Sequence, residues 1–544
     1  QKGQYMKTML IVLTFFCVML VSVNAQDVVI TGNITTNTEL TANNTYLLKG
    51  LVRVQSGATL TIQEGTKIYG ANDGSPDPAS ALIIKPGGKL IANGTELNPI
   101  IFTSEFNRPG SSRLPTYGDW GGVIILGNAP INVPGGTAII EGPGDSFGGT
   151  NPDDDSGILR YVRIEYTGFA YSLNNEINGL TMGGVGRGTT LEYIQVSFGG
   201  DDSFEWFGGN VNAKYLVAFR GWDDDFDTDF GYTGKLQFLL GIRDPQIADQ
   251  STSNGFESDN DGSGSLNTPI TSPTWWNVTL IGPKANSGTV INSLFGRGMH
   301  LRRSSLNKIS NAIIMGWPRG IRLDGVNTVT GAQDGTMWVD NAIISGWTSS
   351  ALDVANADAV VGFDVNTWFA NSDGRTFATN DEVMLTDPFN LENPNVTPLP
   401  GSPALTGGAT PPNDGFFDVT AVTPGALSDD PSKNWTANWT TYPSGTVGVE
   451  DNETQVITEY KLEQNYPNPF NPSTVINFNL PQAAQVKLSV YNILGQEVAV
   501  LVDEFVNAGS YSKSFNAKNL TSGLYIYTLE SGSTKLSKKM TLLK

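Results

Sequence analysis

The stretch "GWDDDFDTDFG" (221–231) puts Asp223, Asp224, Asp225, Asp227 and Asp229 into seven consecutive positions. Carboxylates at that density repel one another unless water, a bound cation, basic side chains or a substrate compensates them. More acids flank the stretch, Glu205 before it and Glu257 and Asp259 after it, and then the sign changes at His300, Arg302, Arg303 and Arg322. Three chemistries fit this order. The acidic and basic blocks can compensate each other as a surface charge ladder, in which each exposed pair contributes little. Glu205, Asp227, Asp229, Glu257 and Asp259 can instead hold structural calcium, which takes about six to eight oxygens in a tolerant geometry. In the third reading the face is a sugar-acid site. A metal acidifies the proton next to a uronate carboxylate, and Arg322, Arg302 or His300 is the weak candidate for the group that moves it.

Other catalytic patterns are thin. His300 is the only histidine in the chain, which excludes a serine triad unless it is the base and argues against a catalytic zinc site. "GGVGRG" (183–188) lies in a β-turn context with no helix after it, so it does not read as a phosphate loop. Trp206, Trp222, Trp275, Trp276, Trp317 and Trp347 could line a sugar groove, but Trp317 and Trp347 recur at the coil period, which favours a structural stack.

The elements that must carry these residues are short strands. "NAIIMGW" (311–317) returns as "NAIISGW" (341–347), an offset of 30, and each copy is followed by a second short apolar segment. Aligning the second segments gives Leu180, Phe204, Phe226, Phe256, Met299, Ile321 and Leu352 as matched inward positions. A unit of two or three strands repeating at this period predicts a parallel β-helix, in which stacked coils share one core. The residue after each matched position then faces outward: Thr181, Glu205, Asp227, Glu257, His300, Arg322 and Asp353. Neighbouring coils lie ~4.8 Å apart and outward residues of one strand ~6.6 Å apart, close enough for several carboxylates to meet on one cation. The repeat also predicts Ile313 and Ile343 stacked one above the other inside the helix.

The formal net charge is −20, and because residues 1–25 and 459–544 each carry +2, the acidity is concentrated in the middle of the chain. Such a surface disfavours nucleic acid. Residues 1–25 read as a signal peptide with a short upstream extension: Met6-Lys7, an apolar core, then "VNA" before Gln26. The single cysteine, Cys17, lies inside that core, which leaves the mature chain without a disulfide or thiolate site.

Residues 459–544 resemble the type A C-terminal sorting domain of type IX secretion in Bacteroidetes-like bacteria. The residues that carry the resemblance are "LEQNYPNPFNPSTVINFNLP" (462–481), "VYNILGQEV" (490–498), "AGSYSKSFNAKNLTSGLYIYTLESG" (508–532) and "KKMTLLK" (538–544). The resemblance implies the secretion machinery and a sortase-like peptidase as partners, and attachment to the outer-membrane surface by processing rather than by a transmembrane segment. It places the protein outside a Gram-negative cell, secreted or on the surface. The central stretch "DSFEWFGGNVNAKYLVAFRGWDDDFDTDFGYTGKLQF" with "GSPALTGGA" is similar to repeat proteins that carry this tail and have no established activity.

The expected fold class is all-β, a right-handed parallel β-helix followed by a small C-terminal β-sandwich. The expected organisation is a β-helix over 26–357, an irregular cap over 358–447, a linker over 448–458 and the sorting domain over 459–544. The expected role is a structural, adhesive or glycan-binding module with possible calcium and a possible polysaccharide partner. The alternative is a calcium-dependent polysaccharide lyase or another carbohydrate-active enzyme.

Overall fold

Alternating apolar residues in short strands leave each coil with one face to bury, and stacking is the only way to bury it. The computed structural model describes residues 27–72, 80–172, 175–443 and 460–543, apart from 463, 466, 467, 482, 483, 507, 508, 519 and 533. The expected signal peptide, with Cys17, and the linker 448–458 lie outside these residues. The chain forms two compact units that divide between Val447 and Gly448.

The first unit is a parallel β-helix. One continuous sheet winds from Asp27–Ile34 to Arg375–Phe377, every pairing in it parallel and joining one coil to the next. One series of stacked strands runs Gly157–Glu165, Thr190–Ser197, Asn212–Phe219, Lys235–Ile242, Thr274–Ile281 and Lys308–Met315. A second series runs Leu180–Val185, Phe204–Gly209, Phe226–Asp229, Phe256–Ser258, Arg297–Arg302, Arg319–Asp324 and Ser350–Ala355. The matched residues Leu180, Phe204, Phe226, Phe256, Met299 and Ile321 pair rung to rung and are buried in the central core. Trp206, Trp275 and Trp317 are almost fully buried in the same core, so they are structural and do not line a groove.

Two expectations need correction. Ile313 and Ile343 do pair rung to rung, but they are not inside the helix. The interior is lined by their neighbours Ile314 and Ile344, whereas Ile313 and Ile343 belong to a second apolar cluster with Val383, Leu385, Val396 and Trp439. This strand is covered on both faces, so its sequence is a continuous apolar run and the period-two signal that would fix its facing is lost.

The region expected to cap the helix over 358–447 also differs. Arg375–Phe377 still pairs with Ile343–Ser345, so the helix runs past 357. The short helix Val365–Asn371 puts Val365 and Phe369 onto the end of the core. The remainder is a strap that runs back along the flank. Asn311 bonds to Ala409 from both its amide nitrogen and its carbonyl, 2.9 and 2.8 Å. Gln237 makes the same reciprocal pair with the Asp418 backbone, and Gln195 with that of Thr441. These amide side chains give the strap the hydrogen bonds that an edge strand would otherwise have supplied.

In the second unit the described strands all pair antiparallel, with one isolated parallel bridge between Phe470 and Leu542. Ala484–Asn492 pairs with Glu497–Val506 and Gly523–Ser531, and Ser473–Leu480 pairs with Gly509–Asn516. Val486, Leu488 and Val490 face a common core, as their alternation requires. Among the described residues no helix is long and apolar enough to cross a membrane.

Candidate functional site

The outward ladder stands in the register read from the sequence. Thr181, Glu205, Asp227, Glu257, His300, Arg322 and Asp353 occupy successive rungs. Phe226 and Thr228 are buried on the inner side of their strand, and Asp227 and Asp229 are partly exposed on the outer side.

The basic candidates neutralise only one end of this ladder. Arg302 bridges Glu257 and Asp259, the latter at 2.7 Å, and Arg303 reaches Asp259 at 2.6 Å. His300 lies between Glu257 at 3.5 Å and Asp324 at 3.1 Å. Arg322 is held by Asp353 at 2.6 and 3.0 Å. Burial opposes ionisation of Glu257, but the neighbouring His300 and the charge of Arg302 outweigh it and hold its pKa below the usual range. The hydrogen bond from His300 brings Asp324 down to about 2. Burial keeps Asp259 raised in spite of its arginines.

Among the described residues, the other end has no such cations paired with it. The corner two residues before each matched apolar position contributes Asp202 and Asp224, only 7% and 4% exposed. The backbone N–H of Asp224 donates to Asp202 Oδ1 at 2.8 Å, and that of Asn254 donates to Asp224 Oδ1 at 2.5 Å, so the corner is a stack of backbone-bonded carboxylates. Three groups converge with oxygens all within 4.8 Å of one another: Asp201, Asp202 and Asp223; Asp202, Glu205 and Asp227; Asp224, Asp227 and Glu257. Burial, and after it the neighbouring carboxylates, drives Asp202, Glu205, Asp224 and Asp227 well above the usual range. Burial pushes Asp223 up to about 7 and Asp229 up to about 8.

The five aspartates of 223–229 therefore have different fates. Asp223 accepts from Ser251, Asp224 from Asn254, and Asp229 from the N–H of Phe230. Asp225 turns inward and pairs with Arg243 at 2.9 Å, both side chains fully buried. Asp227 Oδ1 is buried with no hydrogen-bond partner. Two rungs earlier, beside Glu205, Thr181 is 1% exposed and its Oγ1 also has no partner. Of the residues singled out from the sequence, Glu205, Asp227 and Glu257 meet in the acidic groups. Asp229 and Asp259 lie on the second outward row, and Asp259 is taken by its arginines. Asp201, Asp202, Asp223 and Asp224 were missed as site residues. A signal for them exists: "DD" at 201–202 recurs at 223–224, an offset of 22 that matches the step from Phe204 to Phe226.

Residues 32–383 match the family described as "Pectate-lyase like beta helix domain", and residues 464–542 match the "Secretion system C-terminal sorting domain". No curated protein matches the chain. Among solved structures, the enzymatically active domain of tailspike protein 2 of bacteriophage CBA120 is similar at 10% identity and a TM-score of 0.23, over 94% of this chain and 72% of the other. A likeness that distant carries no argument about activity. The first match spans well over half of the chain and agrees with its parallel coils, and the second agrees with its antiparallel tail: the chain belongs to the pectate-lyase-like β-helix domain family and carries the sorting domain that marks a protein secreted or displayed on the cell surface by type IX secretion.

Proposed function

We propose that this protein is an extracellular β-helix module whose acidic face holds calcium, and that it serves as a structural and binding element rather than as a lyase. The observation that carries the reading is the convergence of Asp202, Glu205, Asp224, Asp227 and Glu257 into two groups that share Asp227. The partnerless oxygens of Asp227 and Thr181 support it, because buried polar atoms are normally satisfied by something. The donors are all oxygens, which suits a hard cation, and calcium tolerates irregular carboxylate geometry better than magnesium does. A lyase would need a basic group free to take a proton. Arg302, Arg322 and His300 are each tied to carboxylates, which speaks against that use.

Thermal melts with calcium and with chelator test the reading. A ligand held only by the folded state stabilises it by ~2.7 kcal/mol at a hundredfold excess over its Kd. The wild type should melt several degrees higher in calcium, and Asp202→Asn with Asp227→Asn should remove the difference. Superimposable wild-type melts would overturn the reading. A rise in ultraviolet absorbance when uronate polysaccharide is added with calcium would revive the lyase alternative.

Processing of the tail is a separate expectation. Mass spectrometry of the surface or medium fraction should find mature chains that end near residue 458. Intact Lys544 in most of the mature protein would count against removal of the tail.

A further inference from the structure

A second ladder runs along the flank beneath the strap. Tyr161, Tyr193, Tyr215 and Phe238 occupy equivalent positions in four successive coils, with ring centroids 4.3, 4.2 and 5.0 Å apart and planes within 13° of parallel. Each has a left-handed backbone, φ 49°, 54°, 61° and 64°. In the next coils the same position is Asn277, Asn311 and Asn341, again left-handed at 56°, 58° and 53°. Asparagine is the ordinary non-glycine choice there, and a bulky residue in that region is an outlier. The asparagines fasten the strap: Asn277 donates to Ala421 and Thr423, Asn311 to Ala409, and Asn341 to Gly407. Beside the aromatic residues a cavity of 570 Å³ lies between the ladder and the strap, whose Trp435 and Trp439 still pack against the tyrosine rings. All four aromatic residues of the ladder line that space, together with the first asparagine, Asn277. Backbone outliers of this kind gather at ligand clamps.

We propose that this cleft binds a neutral oligosaccharide. It lies within the β-helix unit, shares no residue with the acidic face, and goes beyond the calcium reading. One wall is aromatic, and the stacked tyrosines are only partly buried. The other wall presents Asp418, Asp430, Asn434 and the partly exposed Trp435. An aromatic surface with a few polar groups around it, in a cavity of this size, suits the apolar faces and hydroxyls of a sugar chain. Charge selects among sugars. Glu96, Asp418, Asp429 and Asp430 face a single base, Lys433, so an anionic uronate chain is repelled whereas carboxylates accept hydrogen bonds from neutral hydroxyls.

The test is calorimetric titration of the chain with cellohexaose, xylohexaose, mannohexaose and laminarihexaose, with oligogalacturonate as the anionic comparison. At least one neutral hexasaccharide should bind and oligogalacturonate should not. Tyr193→Phe keeps the stacked ring and removes one hydroxyl; Asp430→Asn keeps the acceptor for Ser432 and removes one charge. Each should weaken binding about tenfold, the effect of one lost hydrogen bond to a ligand, and leave the melting temperature unchanged. Binding should persist in chelator, which separates this result from the fate of the calcium reading. Binding of no hexasaccharide, of oligogalacturonate alone, or equally by wild type and both variants would overturn the proposal.

Discussion

Replacing Arg243 with methionine should destabilise the β-helix by roughly 3–5 kcal/mol, the usual consequence of leaving one member of a buried ion pair alone. Arg243 donates to Asp225 at 2.9 Å and to the carbonyl of Trp222 at 3.0 Å, and its guanidinium stands over the rings of Phe295 and Trp317 at 5.4 and 6.0 Å. Neither it nor Asp225 touches solvent. The backbone leaves room for the carboxylate only because residue 241 is glycine: a Cβ there would fall 2.4 Å from Asp225 Oδ2. Burial raises Asp225 to about 6 even beside the arginine, so the pair itself contributes little net stability. The large effect arises from the charge left behind. Arg243→Met should therefore shift the denaturation midpoint sharply, whereas Asp225→Leu combined with Arg243→Met should recover most of the loss. A double-mutant cycle read by chemical denaturation measures this, and additive losses would show that the two side chains are not energetically coupled. The single variant should also weaken calcium binding, because Arg243 braces the carbonyl at the start of the aspartate run.

That buried pair shows where sequence reading stops. The rungs from Leu180 to Leu352 were legible because every coil repeats an apolar residue at steps that, apart from the longer one to Met299, stay within a narrow range, and the outward row from Glu205 to Glu257 follows from strand alternation. The tail was legible because its motif is continuous in sequence. The orientation of Asp225 was not, since one inward acid among five depends on Arg243, eighteen residues away and just past the end of the strand Lys235–Ile242. The inward and outward assignment of Ile313 and Ile314 failed for a related reason: the strap that covers Ile313 comes from residues 383–439 and leaves no local period. The sharing of charge was also hidden. Arg302 and Arg303 could have met any of the acids by composition, and only the register shows that they reach Glu257 and Asp259 and leave Asp202, Glu205 and Asp227 to one another.

Without calcium, the protein should lose stability as pH rises from about 5 to 8, the reverse of ordinary acid denaturation. Burial and mutual repulsion raise Asp202, Glu205, Asp224 and Asp227 in the folded chain, with Asp223 at about 7 and Asp229 at about 8. In the unfolded chain the same groups titrate near 4. Between those values the folded state holds more protons, so unfolding releases them and becomes easier with each step up in pH. The slope is about 1.4 kcal/mol per pH unit for each excess proton. The acids with lowered values, Glu257 and Asp324, act in the other direction: their stabilisation is present above about 4 and is lost as pH falls toward about 2. The chelated protein should therefore be most stable near pH 5. Calcium takes the place of the protons, so its effect should be small at pH 5 and largest at pH 8. Melting temperatures at pH 5, 6.5 and 8, each with calcium and with chelator, read both trends. A chelated chain as stable at pH 8 as at pH 5 would mean that the carboxylates are compensated from elsewhere, and it would remove the electrostatic reason for a cation on this face.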